Sequence, residues 1–299
     1  MQGFSHLQYK LTENIILNGG LHSLYLLYNN TFLIEPRASV KWDVSAKQSL
    51  AFGYGKHSQA QAYGVYFSQA TDNNGQQYSP NKNLGFSKAH HFVLSHSYSL
   101  SKNLKLKTEW YYQSLYNIPV SVSHTNTFSV LNARNDYVRD ALINQGRGRN
   151  YGIEISLEKY LSNRVYYMIS RSWYQSKYTA SNRKEYNTRF NGNRSVNLVA
   201  GKEFMSKNKR RTFGMNAKFV FAGGYRTTSI DFNRSQQDGE TVYIQSESYT
   251  QQLPFYMRGH IRFSMIWNRK KLTSTLSLDI QNVSNRQNVG DRYYDVESN

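Results

Sequence analysis

Any chemistry in this chain would have to come from histidine, hydroxyl and carboxylate side chains, because its 299 residues include no cysteine. Disulfides, cysteine-based zinc sites and thiol nucleophiles are thereby excluded. His90 and His91 are the adjacent histidine pair. Neighbours in a strand face opposite sides, so these two cannot grip one ion together. His22, His57, His96 and His124 are scattered and read as isolated polar residues rather than ligands. A Gly-x-Ser-x-Gly elbow, a His-Glu-x-x-His pair and a glycine-rich phosphate loop with its lysine are all missing. His96 beside Ser95 or Ser97 could be nominated as base and nucleophile. The expectation is that the chain has no catalytic, cofactor-binding or metal-ligating residues and needs no cofactor.

The elements that would hold such side chains are more informative. Leu106, Thr108, Trp110, Tyr112 and Tyr116 alternate with Lys105, Lys107, Glu109 and Gln113. Tyr151, Ile153, Ile155 and Leu157 alternate with Gly152, Glu154, Ser156 and Glu158, and Leu276, Leu278 and Ile280 with Ser277, Asp279 and Gln281. A period of two gives each strand one oily and one wet face. The stretches Lys105 to Tyr116 and Val165 to Lys177 outrun the usual soluble strand of roughly 5–6 residues. They suit the roughly 9–11 residues that a tilted strand needs to cross a bilayer. A transmembrane antiparallel β-barrel segment is therefore predicted, with one domain over 1–299.

Composition agrees. Aromatics make up 15% of the chain, with 25 Tyr and 15 Phe against 4 Pro, which excludes a disordered chain and suits the aromatic girdles of a barrel. Mean hydropathy is −0.69 and no run is long and apolar enough for a membrane helix. The net charge of +18 comes from 37 Lys and Arg against 19 Asp and Glu. Nucleic-acid modules concentrate charge on one face with a recognisable motif. Here the basic residues are spread out and cluster at turns, as at Lys207, Lys209, Arg210 and Arg211 and at Arg269, Lys270 and Lys271. Solvation and contact with anionic lipid headgroups fit better than a nucleic-acid partner.

Twelve strands are predicted: Ser5 to Thr12, Ile15 to Tyr28, Phe32 to Ser45, Gln48 to Ser58, Lys88 to Leu100, Leu104 to Val120, Arg149 to Leu161, Val165 to Thr179, Arg194 to Phe204, Arg211 to Thr227, Phe255 to Trp267 and Leu272 to Gln281. The connections at one end are tight and rich in Asn, Ser and Lys, such as Glu13-Asn14, Ala46-Lys47 and Ser162-Asn163, as turns require. At the other end most are long: 59–87, 121–148, 180–193 and 228–254, with only Asn29-Asn30-Thr31 brief. Short turns facing the periplasm and long loops facing outward are the outer-membrane pattern. On that register the first strand runs inward, and the cell outer membrane is the expected location. Met1 to Phe4 does not read as a signal peptide, and a strand already begins near Ser5.

Several segments carry a family likeness: Ile34-Glu-Pro-Arg-Ala-Ser-Val-Lys-Trp42, Phe52-Gly-Tyr-Gly-Lys-His-Ser-Gln59, Lys88-Ala-His-His-Phe-Val-Leu94 and Gly148-Arg-Asn-Tyr-Gly-Ile-Glu154. Further on come Phe190-Asn-Gly-Asn193, Ala200-Gly-Lys-Glu-Phe204, Ala222-Gly-Gly-Tyr-Arg226 and Leu278-Asp-Ile-Gln-Asn-Val-Ser-Asn-Arg-Gln-Asn-Val289. In order and spacing the chain resembles the C-terminal part of the β-barrel of TonB-dependent outer-membrane receptors. The resemblance implies a 22-stranded barrel filled by an N-terminal plug, with transport energised by contact between plug and TonB. It also implies that the chain is a fragment without plug or closing strand, inactive alone, with TonB and plug as partners only in the full-length protein. Structurally, Gly53, Gly55, Gly152, Gly223 and Gly224 are expected to relieve crowding or permit bending, and Arg37 and Arg149 to line the lumen or pair with carboxylates.

The expected function is active uptake of a scarce ligand such as a siderophore, glycan or peptide, captured by extracellular loops on a rigid scaffold. Tyr78, Asn126, Arg134, Asn135, Tyr137, Arg139, Arg183 and Tyr186 are the loop residues suited to such contact. The alternatives are a self-contained twelve-strand channel, or a phospholipase-like barrel in which Ser and His share a lipid-facing position, with His96 and Ser95 or Ser97 as candidates. The alternation also predicts that Leu278 faces lipid and Asp279 faces water.

Overall fold

The structure is a computed structural model and describes residues 1–71, 74–133, 138 and 140–295. Twelve long strands run up and down: β1 (Gln2–Lys10), β2 (Ile15–Leu26), β3 (Thr31–Ser45), β4 (Gln48–Gln59), β5 (Ser87–Ser101), β6 (Leu104–Ser121), β7 (Leu142–Ser162), β8 (Val165–Thr179), β9 (Arg194–Met205), β10 (Arg211–Ala222), β11 (Tyr256–Asn268) and β12 (Thr273–Gln281). Each pairs antiparallel with its sequence neighbours. β1 and β12 stand at the two ends of the sheet and do not pair with each other, so these twelve strands do not close a ring.

The tight turns follow from local chemistry. Asn163 and Arg164 both adopt positive φ, 51° and 62°, between Ser162 and Val165, which pair. Two successive left-handed residues make the hairpin turn whose twist matches the strands, and Asn tolerates that conformation better than most residues. In the longer Ser206–Arg210 turn, Lys209 takes the left-handed φ of 57°, and the Ser206 hydroxyl accepts from the Arg211 N–H at 3.1 Å.

Several ends differ from those predicted. β7 starts at Leu142 rather than Arg149, because Ser121 pairs with Leu142 and extends the β6–β7 ladder above the other strands. β1 covers Gln2–Lys10 rather than Ser5 to Thr12. β10 ends at Ala222, not Thr227. There Gly223 presses against the Gly192 carbonyl and Gly224 against the Leu253 carbonyl, with no room for a Cβ, and the chain leaves the sheet. Gly152 is likewise crowded, by the Trp173 carbonyl and the Tyr111 hydroxyl, whereas Gly53 meets only the Ser39 Cβ at 4.0 Å and relieves no crowding.

The register sorts the side chains into two faces. Ile153 lies opposite Trp110 and Trp173, Leu198 opposite Ile169 and Phe219, and Phe263 opposite Met215 and Leu278. On the other face Gln113 lies opposite His91 and Asn150, Ser172 opposite Glu154 and Ser195, and Asp279 opposite Arg262. The apolar set is left uncovered: Leu278 is 60% exposed. The one hydrophobic core cluster among the described residues lies elsewhere, at the long-loop end. It comprises Val65, Tyr66, Leu84, Val138 and Leu142, with Leu26, Tyr28, Phe128 and Val130 packed against it.

Candidate functional site

The polar face carries charge in paired clusters. The buried Glu35 carboxylate holds His22 Nδ1 at 2.7 Å and the Arg37 guanidinium at 3.1 Å through the same oxygen. The His57 and His91 rings lie with centroids 4.4 Å apart. His22, Arg37, His57 and His91 line an open depression of about 610 Å³ together with Asn18, Ser39 and Gly20. Pairing across strands therefore gathers histidines that look scattered in the sequence, because β2, β3, β4 and β5 are consecutive in the sheet. No group of three or more ligating side chains suited to a metal is found among the described residues. His90 turns to the opposite face, with its ring stacked against Tyr54 and Tyr116.

Arg37 and Arg149 both pair with carboxylates, Glu35 and Glu185. His96 lies opposite Leu50 and Thr108, on the apolar side, while Ser95 and Ser97 lie opposite Ala51, Glu109, Ser49 and Lys107 on the polar side. Alternation points the imidazole away from both hydroxyls, so the nominated base and nucleophile do not meet.

The long loops form a hydrogen-bonded cap. Asn81 is fully buried; its amide donates to the Ser68 hydroxyl and the Asp140 carbonyl, both at 2.9 Å, and its oxygen accepts from the Leu142 N–H. Tyr66, in the short helix Tyr63–Tyr66, is 1% exposed, and burial pushes its phenol pKa up. A second set of contacts locks segment 180–193 to segment 223–254. Arg226 donates through Nε to the Asn191 carbonyl at 3.1 Å, and through its terminal nitrogens to Asn193 Oδ1 at 2.8 Å and the Thr250 carbonyl at 3.2 Å. Asn191, also fully buried, accepts from the Ser176 N–H and donates to Gln175 and Asn187. Buried amides are stable only when paired in this way.

Of the loop residues expected to meet ligand, Tyr78 is exposed in a two-residue strand, Gln77–Tyr78. Asn126 accepts from the Phe128 N–H at 2.8 Å, a local loop contact. Arg183 takes a left-handed φ of 62° in the turn after Ala180, and the Tyr186 hydroxyl accepts from Asn182. None of these four is hydrogen-bonded to another. Arg134, Asn135, Tyr137 and Arg139 lie outside the described residues. Nearby, Glu185 receives Arg149 at 2.8 Å and Lys177 at 3.2 Å. Partial burial alone would raise the pKa of its carboxyl, but the two cations outweigh that and hold it below the usual range.

The clip residues escaped the chemical reading of the sequence. Asn191, Asn193 and Arg226 belong to segments quoted above only for their resemblance, and no period or spacing marks them as mutual partners.

Residues 2–294 match the family described as TonB dependent receptor-like, beta-barrel. No curated protein matches the chain in sequence. Among solved structures, the outer membrane transporter YddB from Escherichia coli is similar, with 14% identity and a TM-score of 0.65, over 97% of this chain and 42% of that one. The ferric-catecholate import receptor Fiu from E. coli K12 is 11% identical with a TM-score of 0.61, over 97% and 41%. The ferripyoverdine receptor of Pseudomonas aeruginosa is 12% identical with a TM-score of 0.63, over 98% and 36%. The chain thus spans about two fifths of the length of the first two of these structures. The likeness to these structures establishes the fold, and the match over residues 2–294 establishes the lineage: this chain belongs to the β-barrel family of TonB-dependent receptors of the outer membrane.

Proposed function

We propose that this chain supplies twelve consecutive strands, as one structural unit, to a larger receptor barrel that imports a scarce ligand across the outer membrane with energy delivered through TonB. The observation that carries the reading is the pair of unpaired edges, β1 and β12, on a sheet with one apolar and one polar face. An open edge in lipid leaves backbone N–H and C=O groups unsatisfied at several kcal/mol each, so further strands must complete the ring. The polar face then lines the lumen, where a plug would sit. The loop cap forms the entry, and the apolar face meets lipid tails.

The ligand class is read as a siderophore-like or similarly bulky molecule, a glycan or a peptide, because two of the similar solved structures are ferric-siderophore receptors by description. The test measures uptake of radiolabelled iron, supplied as a ferric catecholate, by iron-starved cells that carry the intact receptor as their only route. Uptake that disappears when TonB is deleted supports the reading. Uptake that persists without TonB overturns the energised mechanism, and absence of uptake across iron chelates removes siderophores from the ligand class.

A further inference from the structure

Between the loop that follows β6 and the loop that follows β10 lies an open pocket of about 550 Å³. Asn126, Asn132, Gln245, Phe128, Tyr243 and Tyr249 are among the residues that line it. Each of the three amides commits its oxygen inside the protein. Asn126 Oδ1 accepts from the Phe128 N–H, and Asn132 Oδ1 from the Arg189 N–H, both at 2.8 Å. Gln245 Oε1 accepts from the Thr127 N–H at 3.2 Å and from the Thr127 hydroxyl at 2.7 Å. A backbone N–H can only donate, so these bonds fix which way round each amide stands. The amide nitrogens are therefore donors without work inside the protein. That of Asn132, a residue 5% exposed, is buried with no partner. Those of Asn126 and Gln245 have none among the described residues. Buried donors are normally paired, so Asn132 calls for an acceptor from outside the chain.

The pocket is also poor in positive charge, although the chain as a whole is at +18. None of its described lining residues is Lys, Arg or His, and one, Asp140, is acidic. Along the chain, residues 122–141 balance Arg134 and Arg139 with Asp136 and Asp140. Residues 227–254 hold Asp231, Asp238, Glu240 and Glu247 against a single cation, Arg234. An anionic ligand would enter against this charge. The walls are held in place from behind. The Tyr178 hydroxyl donates to the Thr127 carbonyl at 2.9 Å, and its ring meets the Tyr249 ring edge-on, 6.1 Å between centroids.

We propose that this pocket binds a neutral oligosaccharide, with Asn126, Asn132 and Gln245 donating to its hydroxyl and ring oxygens. Its size suits a small ligand, and apolar walls with a few convergent polar groups are the usual form of such a site. The Phe128, Tyr243 and Tyr249 rings offer apolar faces to the C–H side of a sugar. Sugar hydroxyls rotate to accept from an amide and donate elsewhere. A peptide fits less well, because its N–H groups would meet amide oxygens that are already engaged. The site deepens the transport reading and rests on it in taking the loop cap as the ligand's point of entry.

The test applies the intact receptor in mild detergent to immobilised neutral hexasaccharides of glucose, mannose, galactose and xylose. Sialylated glycans, a neutral hexapeptide and a ferric catecholate are presented beside them. Retention on at least one neutral glycan, in preference to the other three classes, is expected. Asn132→Asp and Gln245→Glu each keep the accepting oxygen but replace the donor, and each should weaken that binding about tenfold or more. Gln245 is exposed, so Gln245→Glu decides the matter should Asn132→Asp fail to fold. Arg234→Gln, in the helix Phe232–Asp238, should leave binding unchanged. The site is overturned if no neutral glycan is retained, if an anionic glycan, the peptide or the iron chelate is preferred, or if Gln245→Glu binds as the wild type does. Failure of the transport reading looks different: glycan is bound and Gln245→Glu weakens it, yet uptake by cells persists without TonB.

Discussion

The sheet and the loop cap treat the same kinds of side chain in opposite ways. On the sheet, Leu276, Leu278 and Ile280 stand exposed in a row, whereas in the cap Tyr66, Leu84 and Val138 are buried together and Asn81 and Asn191 are buried with their partners. The difference teaches that burial here is measured against two solvents. The cap meets water and folds as soluble proteins do, apolar groups inward. The sheet meets lipid on one side and water on the other, so its oily residues belong outside and its backbone is satisfied by ladder pairing alone.

That contrast can be broken from either side. The largest effect is expected in the cap: Tyr66→Ala removes a fully buried ring and should cost about 3–5 kcal/mol of local stability. Hydrogen exchange should then quicken around residues 60–71 while the protection of β8 to β10 is unchanged; loss of protection in the strands would show that cap and sheet are one cooperative unit. On the sheet, Leu278→Lys should cost roughly 2–4 kcal/mol if its position is near the bilayer midplane, and Asp279→Lys should be tolerated. Comparing the folded fraction of the intact receptor in liposomes decides this, and equal yields would reverse the assignment of faces. Within the cap, Asn191→Ala leaves the Ser176 N–H and neighbouring amides unsatisfied, at about 1–3 kcal/mol. Proteolytic nicking between residues 180 and 193 should report it.

A smaller effect concerns pH. Because the Glu185 carboxyl is held below its ordinary pKa by Arg149 and Lys177, its contribution is present above the unfolded value. It is lost as pH falls through the folded value. Protection of segment 180–187 should therefore weaken on acidification, and Glu185→Gln should abolish that dependence. Smallest of all, Arg164→Gly should stabilise the β7–β8 turn by about 1 kcal/mol, since a non-glycine residue at positive φ costs on that order; an unchanged denaturation midpoint would show that Arg164 is unstrained.

Much of this is legible in the amino-acid sequence. All twelve long strands fall where alternation placed them, and Leu278 and Asp279 lie on opposite faces as expected. The misplaced ends have a shared cause. β7 runs back to Leu142 and β10 stops at Ala222 because of contacts with distant segments, Ser121 for one and Gly192 for the other. The histidines show the same limit. Alternation correctly separated His90 from His91, yet could not show that His57 and His91 stack, since that depends on which strands are neighbours and at what offset.

The amino-acid sequence by itself determined the two-faced strands and the short turns, because side-chain alternation and turn preferences act over a few residues. Tertiary structure alone decided the partners: that Arg226 clips Asn191 and Asn193, that Glu35 gathers His22 and Arg37, and that the Arg194 guanidinium lies over the Phe221 ring of the next strand. The physical reason is reach. A period of two is written along one strand, whereas a contact between strands is set by register, and register is a property of the assembled sheet.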